Sequence, residues 1–125
     1  MILDADVLID VIRGYEPAVS WFQSLDEMPS ASGIAAMELI AGCRNGHEMQ
    51  SVRSFLSAFQ LAWPTETDLR AAFSEYLPRR LTIGTGLLDS IVAATAIGLA
   101  EPLATYNVKH FTGIPEVVTV QPYTR

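Results

Sequence analysis

Short apolar blocks of strand length alternate with longer blocks of helical length along the whole chain, and turn residues separate them. The strand-like blocks fall at 1–4, 30–32, 60–63, 103–106 and 117–120. The helix-like blocks fall at 5–12, 17–25, 35–43, 48–59, 66–76 and 87–100. Their ends carry the expected chemistry. Arg13-Gly14 gives the first helix a basic last turn and a terminal glycine, Pro17 pre-sets the start of the second, and Thr65 caps the fifth. Strands separated by helices build βαβ units and a mostly parallel sheet, so the fold class is α/β. With 125 residues and no internal repeat, the chain is expected to be a single domain spanning 1–125. The block at 87–100 is the most apolar helix and is expected to be central.

Composition narrows the functional classes. The net charge is −6, which argues against a protein held to nucleic acid by a basic surface. It favours a site that draws in divalent cations, or a basic protein partner. No stretch reaches the roughly 18 apolar residues of a membrane span, and no basic segment precedes an apolar one at the start, so neither a span nor a secretory signal is expected. The single cysteine, Cys43, has no partner for an internal disulfide and fits the reducing cytoplasm.

Three acids stand apart from the other charges. Asp4 ends the first strand, where open parallel sheets place their sites. Glu38 is the only charge between Met28 and Cys43, and helical spacing sets it on one face with Ile34, Met37 and Ala41. Asp89 is the only charge between Leu81 and Ala100 and shares a face with Val92, Ala93 and Ala96. Each has an ordinary explanation on its own: Asp4 as a helix cap, Asp89 at a positive helix end, Glu38 reaching solvent. Together they are three carboxylates from distant segments, and a single parallel sheet would bring them to one pocket. Crowded carboxylates repel unless a cation neutralises them, and all-oxygen donors suit Mg²⁺ or Mn²⁺. Such sites hydrolyse phosphodiesters. Asp10, three residues before Arg13, is read as half of a surface pair.

The stretches "MILDADVLIDVIRG", "AAMELIAG", "LLDSIVAATAIGLAEPLATYNVKHF" and "IPEVVTV" together resemble the PIN-domain ribonucleases, specifically the toxin half of bacterial VapBC-type toxin–antitoxin pairs. The likeness runs nearly end to end and rests on the order and spacing of its parts. It implies a PIN-like fold, a five-stranded parallel sheet flanked by helices. It implies a Mg²⁺- or Mn²⁺-dependent endoribonuclease with Asp4, Glu38 and Asp89 as the acidic, metal-binding core and Asn107 at the rim. It also implies an RNA substrate, a homodimer and a VapB-type antitoxin partner.

The resemblance leaves some positions open. Asp6 stands where the family more often has Ser, Thr or Asn, and either adds charge to the site or serves the helix start. Asn107 replaces a fourth acid found in many PIN domains. Thr105 is read first as an ordinary strand residue, with support of Asn107 from the preceding strand as the alternative, and His47 and His110 are read as ordinary polar residues. Arg79-Arg80 is the basic pair best suited to phosphate contact. Trp21, Phe22 and Leu25 fit either the core or a partner surface. Two rival functions are a haloacid-dehalogenase-like phosphatase with Asp4 as nucleophile, and a non-catalytic PIN-like module that binds RNA or a partner.

Overall fold

The computed structural model describes all residues from 1 to 125. Five short strands make one sheet: β1 (Ile2–Leu3), β2 (Ser30–Ser32), β3 (Leu61–Ala62), β4 (Leu103–Ala104) and β5 (Thr119–Val120). Their order is β3-β2-β1-β4-β5, and every pairing is parallel. The five-stranded parallel sheet implied by the resemblance is therefore present. The chain builds one edge through β2 and β3, then returns to the other side of β1 to lay down β4 and β5. The seam between β1 and β4 is the topological switch point, where crevices open beyond the carboxyl ends of strands.

Side chains alternate across the sheet with the strand period of two. Ile2 and Leu103 enter one core with Val92, Ala93, Ala96, Phe111 and Ile114. Their neighbours Leu3 and Ala104 enter the other, with Val7, Leu8, Ala35, Leu39, Val52, Leu56 and Phe59. Both faces of the central strands are thus buried, which is why β1 and β4 read as continuous apolar runs.

The helices fill these faces. α1 (Ala5–Ile12), α2 (Glu16–Gln23), α3 (Gly33–Ala41) and α4 (Gly46–Leu56) follow the first two strands. Gly14 closes the first helix with φ +75°, the left-handed conformation glycine adopts without strain. Trp21 and Phe22 pack inward, against Tyr123 and Phe59 respectively. α5 (Glu66–Ala71) starts on a reciprocal cap between Thr65 and Asp68. It then widens into a π turn at Ala72–Tyr76, tightens to a 3₁₀ turn at Leu77–Arg79 and ends in α6 (Arg80–Ile83). The 3.6-residue pattern gave no sign of that change in winding, nor of α6.

The expected central helix is α7 (Leu87–Leu99), with Val92 to Ala96 buried. Close packing fixes its position. A side chain at Gly98 would overlap the Asp68 carboxylate, so α5 approaches α7 only because residue 98 has no Cβ.

Two surface pairings differ from expectation. Asp10 does not meet Arg13. It accepts from the Tyr123 hydroxyl at 2.7 Å and from Arg125 Nε at 3.0 Å, partners more than a hundred residues away in the chain. Arg79 is not free for phosphate. It grips Glu116 through two bonds of 2.9 Å, donates to the Gly113 carbonyl, and lies over the Tyr76 ring.

Candidate active site at the strand switch point

Asp4 follows β1 and caps α1, its Oδ1 accepting from the Ala5 amide at 2.8 Å. Its own N–H continues the ladder to the Ala104 carbonyl. Only 6 % of the residue is exposed. Burial is the main cause lifting its pKa to about 6, and the charges of Asp6 and Asp89 push the same way. The Ala5 amide and the Thr105 hydroxyl oppose the rise.

Asp89 sits in the first turn of α7. Burial raises its pKa, the facing His110 lowers it, and Asp6 raises it. Glu38 projects from α3, which Ser32 caps at the end of β2. It is exposed, yet partial burial and the Asp89 charge raise its pKa. Asp89 is therefore the common electrostatic neighbour of Asp4 and Glu38. No Lys or Arg pairs with any of these three acids. No three His, Cys, Asp or Glu side chains stand close enough to enclose an ion by themselves.

The segment after β4 completes the arrangement. Thr105, fully buried, donates to Asp4 Oδ2 at 2.9 Å and accepts from the Asn107 amide at 3.1 Å. It is thus a support for the acid, and the ordinary-strand reading is corrected. Asn107 is exposed and begins a 3₁₀ turn at Val108–Phe111, with its side chain not spent on capping that turn. Asp6 resolves its two readings by doing more than either: it meets the helix start at Val7 and the chain after β4 at Tyr106 and Asn107.

His110 is also more than an ordinary polar residue, because its Nδ1 lies 3.1 Å from Asp89 Oδ2. Neither Thr105 nor His110 carried a local signal. Each owes its role to a partner on another element, and spacing along the chain does not encode that. His47 makes no comparable contact with an acid.

An open parallel sheet with acids gathered at the β1/β4 switch point defines a PIN-like α/β domain. The comparisons with known proteins take this further. No protein-family model matches the chain. Ribonuclease VapC19 of Mycobacterium tuberculosis (strain ATCC 25618 / H37Rv) is 31% identical over 122 residues, covering 93% of this chain and 95% of the relative. Ribonuclease VapC10 of the same strain is 35% identical over 116 residues, covering 89% and 85%. Among solved structures, a toxin–antitoxin complex from Klebsiella pneumoniae superposes with a TM-score of 0.78 at 28% identity, covering 99% of this chain and 98% of that one. The VapBC2 structure from Rickettsia felis shares the fold with a TM-score of 0.77 at 20% identity, covering 95% of this chain and 96% of that one. This chain belongs to the VapC family of PIN-domain ribonucleases. Membership of that family removes the phosphatase alternative.

Proposed function

We propose that residues 1–125 act as one domain, a divalent-metal-dependent endoribonuclease that serves as the toxin of a VapBC-type pair in the cytoplasm. The observation that carries the metal requirement is the unbalanced charge at the switch point. Asp4 is buried, its pKa is raised to about 6, the charges of Asp6 and Asp89 push it the same way, and no Lys or Arg pairs with Asp4 or Asp89. A site of this kind gains most from a cation.

The donor set fits Mg²⁺ or Mn²⁺. All the donors are oxygens, and Mg²⁺ uses one or two protein carboxylates while keeping positions for water and phosphate. Asp4 and Asp89 would hold the ion, directly or through water, with Glu38 completing the site. When bound, the ion supplies Lewis acidity toward the scissile phosphate and eases deprotonation of the attacking water. Glu38 orients that water, and the Asn107 amide steadies it or a phosphate oxygen by hydrogen bonding. Thr105 keeps Asp4 aimed.

Partner assignments follow the relatives. The Klebsiella pneumoniae structure is of a toxin–antitoxin complex, and a VapB-type antitoxin is proposed here. An apolar groove of about 490 Å³, lined in part by Met37, Ile40, Leu56, Phe59 and Trp63, suits an amphipathic segment of such a partner. A homodimer is proposed as well; Leu69, Phe73 and Leu81 are exposed apolar residues available for it. No helix is long and apolar enough to cross a membrane.

The test is purified protein incubated with total RNA, with Mg²⁺ or Mn²⁺ and with chelator. Cleavage that needs the metal and disappears in Asp4→Asn and Asp89→Asn is expected. Cleavage unchanged in excess chelator overturns the metal requirement. RNA bound tightly and left intact in every metal favours the non-catalytic module.

A further inference from the structure

Asp6 is the acid at the switch point with one oxygen that accepts from two main-chain amides; each Asp4 oxygen accepts one bond, Oδ1 from the Ala5 amide and Oδ2 from the Thr105 hydroxyl. Asp6 Oδ1 accepts from the Val7 amide at 2.8 Å. Oδ2 accepts from the Tyr106 amide at 2.7 Å and from the Asn107 amide at 3.2 Å. The Thr105 hydroxyl also lies 3.4 Å away. A hydroxyl has one proton, and the Asp4 contact at 2.9 Å is the shorter, so that proton goes to Asp4. Two main-chain donors on one carboxylate oxygen make a clamp. Its two jaws are α1 and the segment leaving β4, a hundred residues apart.

We propose that Asp6 is a positioning residue: it anchors the segment after β4 by its main chain, and so fixes the Asn107 backbone and seats Thr105 against Asp4, without itself serving as a metal ligand. Both lone pairs of its Oδ2 already face N–H groups, whereas each Asp4 oxygen accepts one bond and keeps a lone pair for a cation. The anchored residues are the ones the reaction uses. Asn107 offers its side chain only if its backbone is held, and Thr105 reaches Asp4 only from its present place in the chain. Asparagine at position 6 keeps an oxygen able to accept both amides, whereas alanine keeps none.

The inference rests on the proposed roles of Asp4 and Asn107, and three measurements separate its failure from theirs. In Asp6→Ala, hydrogen exchange at the Tyr106 and Asn107 amides is expected to rise at least tenfold, while Mn²⁺ binding by calorimetry stays within about threefold of the parent. The cleavage rate is expected to fall about 10- to 100-fold, with Asp6→Asn recovering most of it. The double variant Asp6→Ala/Asn107→Ala is expected to be little slower than the slower single variant, as for residues acting in one unit. Loss of Mn²⁺ binding in Asp6→Ala as complete as in Asp4→Asn makes Asp6 a ligand and overturns the proposal. Unchanged amide exchange overturns it too. Retention of Mn²⁺ by Asp4→Asn, or full activity in Asn107→Ala, instead overturns the roles given to those residues, while the exchange measurement still decides for Asp6.

Discussion

The Thr105 hydroxyl donates to Asp4 Oδ2 across the seam between β1 and β4, at 2.9 Å and out of contact with solvent. The bond favours the ionised carboxylate. Thr105→Val keeps the shape and removes the donor. Asp4 is then pushed further up, and Mn²⁺ affinity at neutral pH is expected to fall about tenfold, one charged hydrogen bond being worth about 1.5–3 kcal/mol. Thr105→Ser is expected to restore it. Calorimetric titration of the three proteins checks this, and equal affinities in all three would remove the role given to Thr105.

Asp4 also makes stability depend on pH. Its pKa is about 6 in the fold against an ordinary 3.8, so the folded state binds the proton more tightly than the unfolded chain does. Stability contributed by the protonated acid is present at low pH and is lost as pH rises from about 4 through 6, by roughly 3 kcal/mol. Glu38 and Asp89 are raised as well and act in the same direction. Without metal, the melting temperature is expected to fall across that window. Asp4→Asn should flatten the fall, and Mg²⁺ at neutral pH should reverse it. Thermal scans in chelator and in Mg²⁺ test all three; a metal-free melting temperature that climbs with pH counts against the assignment.

His110 holds Asp89 toward its ionised form. Its replacement by alanine is expected to raise the Asp89 pKa further and to shift the pH at which Mn²⁺ binding is half-maximal upward. The imidazole is more than half exposed, so folding is expected to be unaffected, with the melting temperature as control. A binding curve that stays in place on the pH axis would show that the contact is incidental.

Gly98 sets the distance between α5 and α7. Alanine there overlaps Asp68, whose carboxylate is committed to the Thr65 amide at 2.9 Å. Relieving the overlap costs about 1–3 kcal/mol and disturbs a cap worth about 1 kcal/mol. The better helix propensity of alanine returns at most about 1 kcal/mol. Net destabilisation of about 2 kcal/mol is expected in urea unfolding, and a stabilised Gly98→Ala protein would mean that the two helices can part freely.

The sheet and its helices were legible because their signals are local: strand-length apolar runs, Gly14 after the first helix, Thr65 before the fifth. Glu38 and Asp89 stood out as candidates because a lone charge in an apolar run demands a reason, and Asp4 because it ends the first strand. Thr105 gave no such signal, since a β-branched hydroxyl in a strand is unremarkable until its partner is known. His110 and Asp6 were hidden for the same reason. The π turn at Ala72–Tyr76 packs against α7, a neighbour distant in the chain that the helical period cannot report.

The strand order has a consequence for synthesis. β1 precedes the other four strands in the chain, yet it occupies the middle of the sheet, and its neighbour β4 is made about a hundred residues later. Until then Asp4 has no Thr105, and Asp6 has no main-chain amides from beyond β4. A growing polypeptide therefore gains the surroundings of Asp4 and Asp6 only once β4 and the segment after it have been made.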